Sequence, residues 1–154
     1  MHPRIIRDAH PDDIRRIVEL ERLAFAQPWS AEAFAHEFSL PFSRTIVAVA
    51  ATAVGENLSG FLCRWLVADE CHILNLAVHP ESRRKGVGTI LMGEVIAEAV
   101  IKKAAIITLE VRRSNLAARG LYRNLRFDER RVRKNYYSPG EDAIVMERRL
   151  AAGT

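Results

Sequence analysis

Several residues in this 154-residue chain have types and spacings suited to chemistry. The segment Arg83-Arg84-Lys85-Gly86-Val87-Gly88 sets three cations beside two glycines, between an apolar strand-like run and a helix-like one. A helix start offers unpaired N–H groups and a partial positive charge, so phosphate oxygens are favourable ligands where glycine lets the backbone approach. Fixed charge on Arg83, Arg84 and Lys85 suits a pyrophosphate. Two other phosphate loops fail on their own terms. A Rossmann fingerprint requires a third glycine where Leu91 stands, and a Walker loop ends Gly-Lys-Ser/Thr, whereas here Lys85 precedes Gly86 and Val87 follows. Taken alone, the Gly-x-Gly pair is better read as a basic strand-to-helix turn whose glycines relieve strain.

Glu110 ends an otherwise apolar run; Arg112 shares its side of a strand and is a candidate ion-pair partner, while Arg113 points away. Asn115, Arg119 and Tyr122 fall at i, i+4 and i+7, which places an amide, a cation and a phenol on one helical face. Arg119 there either meets a phosphate or is solvated. Trp29 and Tyr136-Tyr137 are loop aromatics that either touch a substrate or cover a core edge. Arg130-Arg131-Val132-Arg133-Lys134 reads as a solvated strand-loop face outside any site.

The elements that must position these residues are legible from periodicity. Arg4–Arg7 reads as a strand, and Pro11-Asp12-Asp13 suits the first turn of a helix running to about Phe25, with Ile14, Ile17, Val18, Leu20 and Leu23 as its apolar positions. Pro28-Trp29-Ser30 interrupts, and Ser30 caps a second helix through Phe38. Thr45–Ala53 and Ser59–Val67 form a hairpin, and Cys71–Val78 supplies the next strand. A helix from about Gly86 to Lys103 follows, with Ile90, Leu91, Val95, Ile96 and Val100 as core positions. Ala105–Val111 is a strand, Leu116–Leu125 a short helix, and Phe127–Val132 and Ala143–Arg149 are two strands joined by a turn at Ser138-Pro139-Gly140-Glu141. The order is β-α-α-β-β-β-α-β-α-β-β, an α/β (α+β) pattern.

Length and composition fit one domain over 1–150 with a short flexible tail at 151–154. There is no signal-like N-terminus and no run of about 20 apolar residues, so a cytoplasmic location is expected. Cys63 and Cys71 read as reduced core thiols, and the five histidines lack metal-ligand spacing, so no structural metal is expected. A net charge of +4 favours anionic partners without specifying one.

The glycine loop, preceded by Ile73-Leu74-Asn75-Leu76-Ala77-Val78-His79-Pro80, resembles the GNAT superfamily signature Arg/Gln-x-x-Gly-x-Gly/Ala. Pro28-Trp29-Ser30, Leu109-Glu110-Val111-Arg112, Ser114-Asn115, Gly120-Leu121-Tyr122 and Asn135-Tyr136-Tyr137 extend it to the RimI-like ribosomal-protein-alanine N-acetyltransferases, nearly end to end. The resemblance implies a GNAT fold: a mixed, mostly antiparallel, V-splayed central sheet flanked by helices. It implies acetyl-CoA as co-substrate, its pantetheine arm along Leu76, Ala77 and Val78, its pyrophosphate on Arg83, Arg84, Lys85, Gly86, Val87, Gly88 and Thr89, and a further contact at Asn115.

It also implies Glu110 as general base, Tyr122 as general acid, and Trp29, Tyr136 and Tyr137 as acceptor-binding residues. The implied acceptor is a protein or peptide N-terminus, a ribosomal protein with N-terminal Ala among the candidates, with no direct nucleic-acid or membrane partner and a monomer or weak homodimer as the working state. A small amine or lysine side chain is the alternative acceptor, and an idle CoA-binding or nucleic-acid-binding module the alternative from another class. The sequence departs from the family at Leu125-Arg126-Phe127, where Gly is usual in place of Arg126. Arg126 is therefore expected either in a left-handed conformation, at a cost of about 1 kcal/mol, or in an altered helix end.

Overall fold

The computed structural model describes residues 4–150; the tail expected at 151–154 lies outside the described residues. Seven strands form one sheet in the order β1-β2-β3-β4-β5-β7-β6, made of β1 (Arg4–Asp8), β2 (Ser43–Thr52), β3 (Gly55–Val67), β4 (Glu70–Val78), β5 (Ile106–Arg112), β6 (Asp128–Tyr137) and β7 (Glu141–Arg149). Only β4 and β5 pair in parallel; every other neighbour is antiparallel. Helices α1 (Ile14–Ala24) and α2 (Ala31–Phe38) cover one face, and α3 (Val87–Ile101) and α4 (Leu116–Asn124) the other. The element order and the mostly antiparallel sheet are those expected from the sequence.

Local chemistry fixes the helix starts. Asp13 ends a 3₁₀ turn at Pro11–Asp13, accepts from the His10 N–H at 2.8 Å and pairs with Arg7 and Arg16 at 2.8 and 2.6 Å. Ser30 Oγ accepts from Ala33 N at 3.1 Å and caps α2 as its position predicts. On α3 the apolar pattern runs nearly all round, which makes its buried side ambiguous from sequence. Leu91 and Val95 are buried as expected, but Ile90 and Val100 are 46% and 55% exposed, and Val87, Met92 and Ala99 fill the core instead. On α1, Ile17, Val18 and Leu20 are buried while Leu23 is exposed. Arg64 of β3 grips Glu98 of α3 through two hydrogen bonds of 2.9 and 2.8 Å, which sets that helix on the sheet. Cys63 and Cys71 are buried free thiols on opposite faces, each pushed up to about 11 by burial.

One irregularity shapes everything that follows. On β4 the pairing runs Ile73 opposite Arg64 and then Asn75 opposite Cys63, so Leu74 stands opposite no β3 residue. This bulge shifts the alternation by one. Cys71 and Ile73 point into the α3/α4 core; beyond the bulge Leu76 and Val78 take that side, and Asn75 and Ala77 face α1.

Candidate functional site

At the bulge the central strands part. The last β4–β5 pair is Ile73 with Leu109, after which β5 continues against β7 alone, Glu110 lying opposite Val145. The β5-facing edge of β4 from Asn75 to Val78 therefore carries backbone groups without a strand partner among the described residues. That open edge is a template for an extended polar chain bearing amides, and pantetheine is such a chain. Leu76, Ala77 and Val78, expected to hold it, line this edge.

Just beyond, α3 begins. Gly86 is its N-cap, with φ at 78°, and the N–H groups of Val87, Gly88 and Thr89 lie in the first turn, where no intrahelical acceptor exists. Arg83, Arg84 and Lys85 are exposed beside them, so charge and N–H donors meet at one place, as a pyrophosphate requires. Arg84 itself has φ at 63°, a local strain of about 1 kcal/mol. The two glycines divide their roles. Gly86 supplies the left-handed turn, whereas Gly88 is buried, and a Cβ there would lie 3.1 Å from Leu121 Cδ2 and 3.8 Å from Val78 Cγ2, so its smallness lets α3 approach α4. Asn115 caps α4 by accepting from Ala118 N at 3.1 Å, which leaves its Nδ2 donors for a ligand.

Glu110 sits just past the last β4–β5 pair, at the inner end of the split and on the α1/α2 side, since Ile107, Leu109 and Val111 take the opposite face. Its Oε2 lies 2.7 Å from His72 Nε2 of β4, and its Oε1 lies 3.9 Å from Arg133 of β6. Burial pushes the Glu110 carboxyl up, but the His72 hydrogen bond and the charges of His72, Arg133 and Arg131 outweigh it and hold the carboxyl below its ordinary value. Glu110 is thus a carboxylate at neutral pH, half-buried and ready to accept a proton. The sequence-level alternative, a pair with Arg112, does not form: Arg112 bonds Glu141 at 3.1 Å. His72 was missed because no motif marks it; only the β4–β5 register brings it to Glu110. Arg133, read as part of a solvated face, is in fact within reach of Glu110.

Tyr122 lies on the other side of the sheet, 6% exposed, in the core formed with Leu109 and Val111. Its place is set by the end of α4. Phe127 N donates to Tyr122 O at 3.0 Å and Arg126 N to Arg123 O at 2.9 Å, a Schellman motif with Arg126 at φ 69°. The Tyr122 and Phe127 rings meet at 6.0 Å across it. Of the two outcomes expected for Arg126, the structure has the left-handed one. No described residue hydrogen-bonds the Tyr122 hydroxyl, and burial raises its pKa, so it stays protonated and able to donate. Arg119, on the same helical face, is held by Glu129 at 2.8 Å and by the Arg113 carbonyl at 2.7 Å.

On the α1/α2 face, Tyr136 and Tyr137 pack edge to face at 5.0 Å, with Arg133 over Tyr136 and Arg112 over Tyr137. Trp29 packs its ring on Phe34 at 5.3 Å and donates its backbone N–H to Glu21 at 2.9 Å, so much of its surface serves the core edge. Buried Glu21 also accepts from Asn75 at 2.7 Å, tying the Trp29 loop to β4 at the split. Glu110 and Tyr122 therefore approach the gap between β4 and β5 from opposite faces of the sheet.

The chain matches the Acetyltransferase (GNAT) family over residues 14–127. It is 36% identical over 140 residues to the ribosomal protein bS18-alanine N-acetyltransferase of Escherichia coli (strain K12), covering 87% of this chain and 89% of that one. It is 32% identical over 159 residues to the N-alpha-acetyltransferase of Saccharolobus solfataricus, covering 94% and 92%. The crystal structure of the ribosomal-protein-S18-alanine N-acetyltransferase from Escherichia coli superposes with a TM-score of 0.87 at 31% identity, over 99% of this chain and 97% of that one.

Proposed function

The chain belongs to the acetyltransferase (GNAT) family and is an acetyl-CoA-dependent N-acetyltransferase, and from that premise we propose that its acceptor is the α-amino group of a protein N-terminus. The observation that carries this reading is the placement of Glu110 with His72 on the acceptor face of the split, under a wall built by Tyr136 and Tyr137. The relatives named above, which act on protein N-termini by name, support the same class, and the alanine N-terminus of a ribosomal protein is the first acceptor to test.

Acetyl-CoA supplies the activated acetyl thioester. An α-amine, with a pKa of about 7.7 to 8.0, needs only modest help to lose its ammonium proton. Glu110 takes that proton directly or through a water, and His72 orients the carboxylate. The neutral nitrogen then forms its bond to the thioester carbon as the carbon–sulfur bond breaks, the Tyr122 hydroxyl donates its proton to the departing sulfur, and the surplus proton that the new amide nitrogen sheds passes through solvent to restore the Tyr122 hydroxyl. The donor loop of Arg83 to Thr89 and Asn115 hold the CoA end, and the open edge of Leu76 to Val78 holds the arm between. Residues 1–150 act as one acetyltransferase domain in this reading. No helix among the described residues is long and apolar enough to cross a membrane, and in this reading the enzyme meets its acceptors in the cytoplasm.

Incubation of the protein with acetyl-CoA and a panel of peptides differing in their first residue, followed by mass spectrometry, tests the proposal. One acetyl group on the α-amine of a free N-terminus is expected. If small amines or internal lysines outcompete every free peptide N-terminus, the acceptor assignment is wrong.

A further inference from the structure

We propose that Glu141 is a positioning residue that ties the Tyr136-Tyr137 hairpin to the donor-side loop Arg112–Asn115, so that CoA bound at that loop sets the place of the acceptor wall. The inference rests on the reading of Tyr136 and Tyr137 as that wall.

The hairpin has little else to hold it. The β6–β7 ladder breaks after Arg133 opposite Ala143 and resumes only at Tyr137 opposite Glu141, so Lys134, Asn135 and Tyr136 are outside the regular pairing. Asn135 within this break has φ at 53°. Two successive carboxylates bridge the gap. Glu141 accepts from Arg112 Nη1 at 3.1 Å through one oxygen and from the Ser114 backbone N–H at 2.9 Å through the other. Arg112 in turn lies 4.3 Å above the Tyr137 ring. Asp142 accepts from the Asn135 N–H at 3.1 Å and lies 3.2 Å from Arg113 and 3.6 Å from Lys134, while its carbonyl accepts from Arg113 N at 3.1 Å.

The lacing ends one residue before Asn115, the cap of α4 and the expected CoA contact. Ser114 is therefore shared: its N–H is fixed by the acceptor hairpin and its neighbour serves the donor. Hydrogen bonds from Ser114 and Arg112 keep the Glu141 carboxyl below its ordinary range, and the Asn135 N–H does the same for Asp142, so both stay charged at neutral pH. Exposed pairs of this kind are individually weak, which lets a ligand that orders one side shift the other. A rigid ladder would transmit nothing because it would have no second arrangement to leave.

The test compares amide hydrogen exchange in the full chain with and without coenzyme A, in wild type and Glu141→Gln. Glutamine puts an NH2 donor where one of the two acceptor oxygens stood, so the arrangement in which Arg112 and Ser114 each have their own oxygen is lost. In wild type, CoA is expected to slow exchange about threefold or more at both the donor loop (84–90) and the hairpin (134–140). In Glu141→Gln the slowing at 84–90 persists, which reports a folded, CoA-binding protein, while that at 134–140 is lost. Retention of the hairpin response in the variant overturns the proposal, as does a wild type that responds at 84–90 alone. If Glu141→Gln fails to fold, Glu141→Asp, which keeps the charge but withdraws it by one methylene, is judged by the same criterion. The acceptor KM of the variant should rise about tenfold with kcat little changed. A wild type that acetylates no peptide N-terminus removes the acceptor reading, while the exchange data, which need no acceptor, still decide the clamp.

Discussion

His72 Nε2 stands 2.7 Å from Glu110 Oε2 across two parallel strands, His72 one residue before their last pair, Ile73 with Leu109, and Glu110 one residue beyond it. His72 pairs in register with Thr108, so it meets Glu110 diagonally, two residues further along the same face. The contact closes the inner end of the split and fixes one oxygen of the carboxylate there.

Removal of the His72 ring takes away the hydrogen bond that most strongly holds Glu110 low, and leaves burial, which raises it, opposed only by the charges of Arg133 and Arg131. In His72→Ala the acid limb of the kcat/KM profile should therefore move to higher pH, with the two groups read as one coupled system. A pH–rate series on both proteins checks this; an unmoved acid limb would detach His72 from the base.

Glu110→Gln should lower kcat by about 10²-fold or more with acetyl-CoA affinity retained, because the carboxylate acts on the amine and not on CoA. Separate measurement of turnover and of CoA binding by calorimetry distinguishes this from a folding defect.

Tyr122→Phe removes one hydroxyl that no described residue hydrogen-bonds and keeps the ring against Phe127. The melting behaviour should change by no more than about 0.5 kcal/mol, while kcat falls by about 10²-fold. A variant with full turnover would return Tyr122 to a purely packing role.

Arg83→Ala and Lys85→Ala should weaken CoA binding several-fold at low salt, by about fivefold each, with the difference from wild type shrinking as ionic strength rises. Titration of CoA at two salt concentrations reads this directly.

Asp13 accepts hydrogen bonds from Arg7, Arg16 and the His10 N–H and is held below its ordinary value of 3.8. Its stabilising contribution is present in full above that value and is lost as pH falls through the depressed folded pKa. Asp13→Asn should therefore cost about 1 to 3 kcal/mol at pH 7, with the gap to wild type closing in acid. Denaturant unfolding at neutral and acidic pH measures both ends.

The amino-acid sequence determined the element order, the glycine turn into α3 and the cations beside it, because each rests on contacts local in the chain. Ser30 caps its helix three residues on, Gly86 turns and the first amides of α3 follow at once, and Arg126 takes the left-handed place that a Schellman end requires whatever residue occupies it. Even Glu110 and Tyr122 were legible as types at marked positions. The tertiary structure decided what these residues face. Periodicity could not tell which side of the uniformly apolar α3 is buried, so Ile90 and Val100 turned out exposed. One unpaired residue, Leu74, switched the faces of β4 and parted it from β5, and no composition or spacing announces a bulge. Strand pairing then brought His72, 38 positions away in sequence, to Glu110, and gave Arg112 to Glu141 and Tyr137 instead of to Glu110. A proton acceptor is a property of one side chain, but its partner and its orientation belong to the register between strands, which the chain fixes only when it folds.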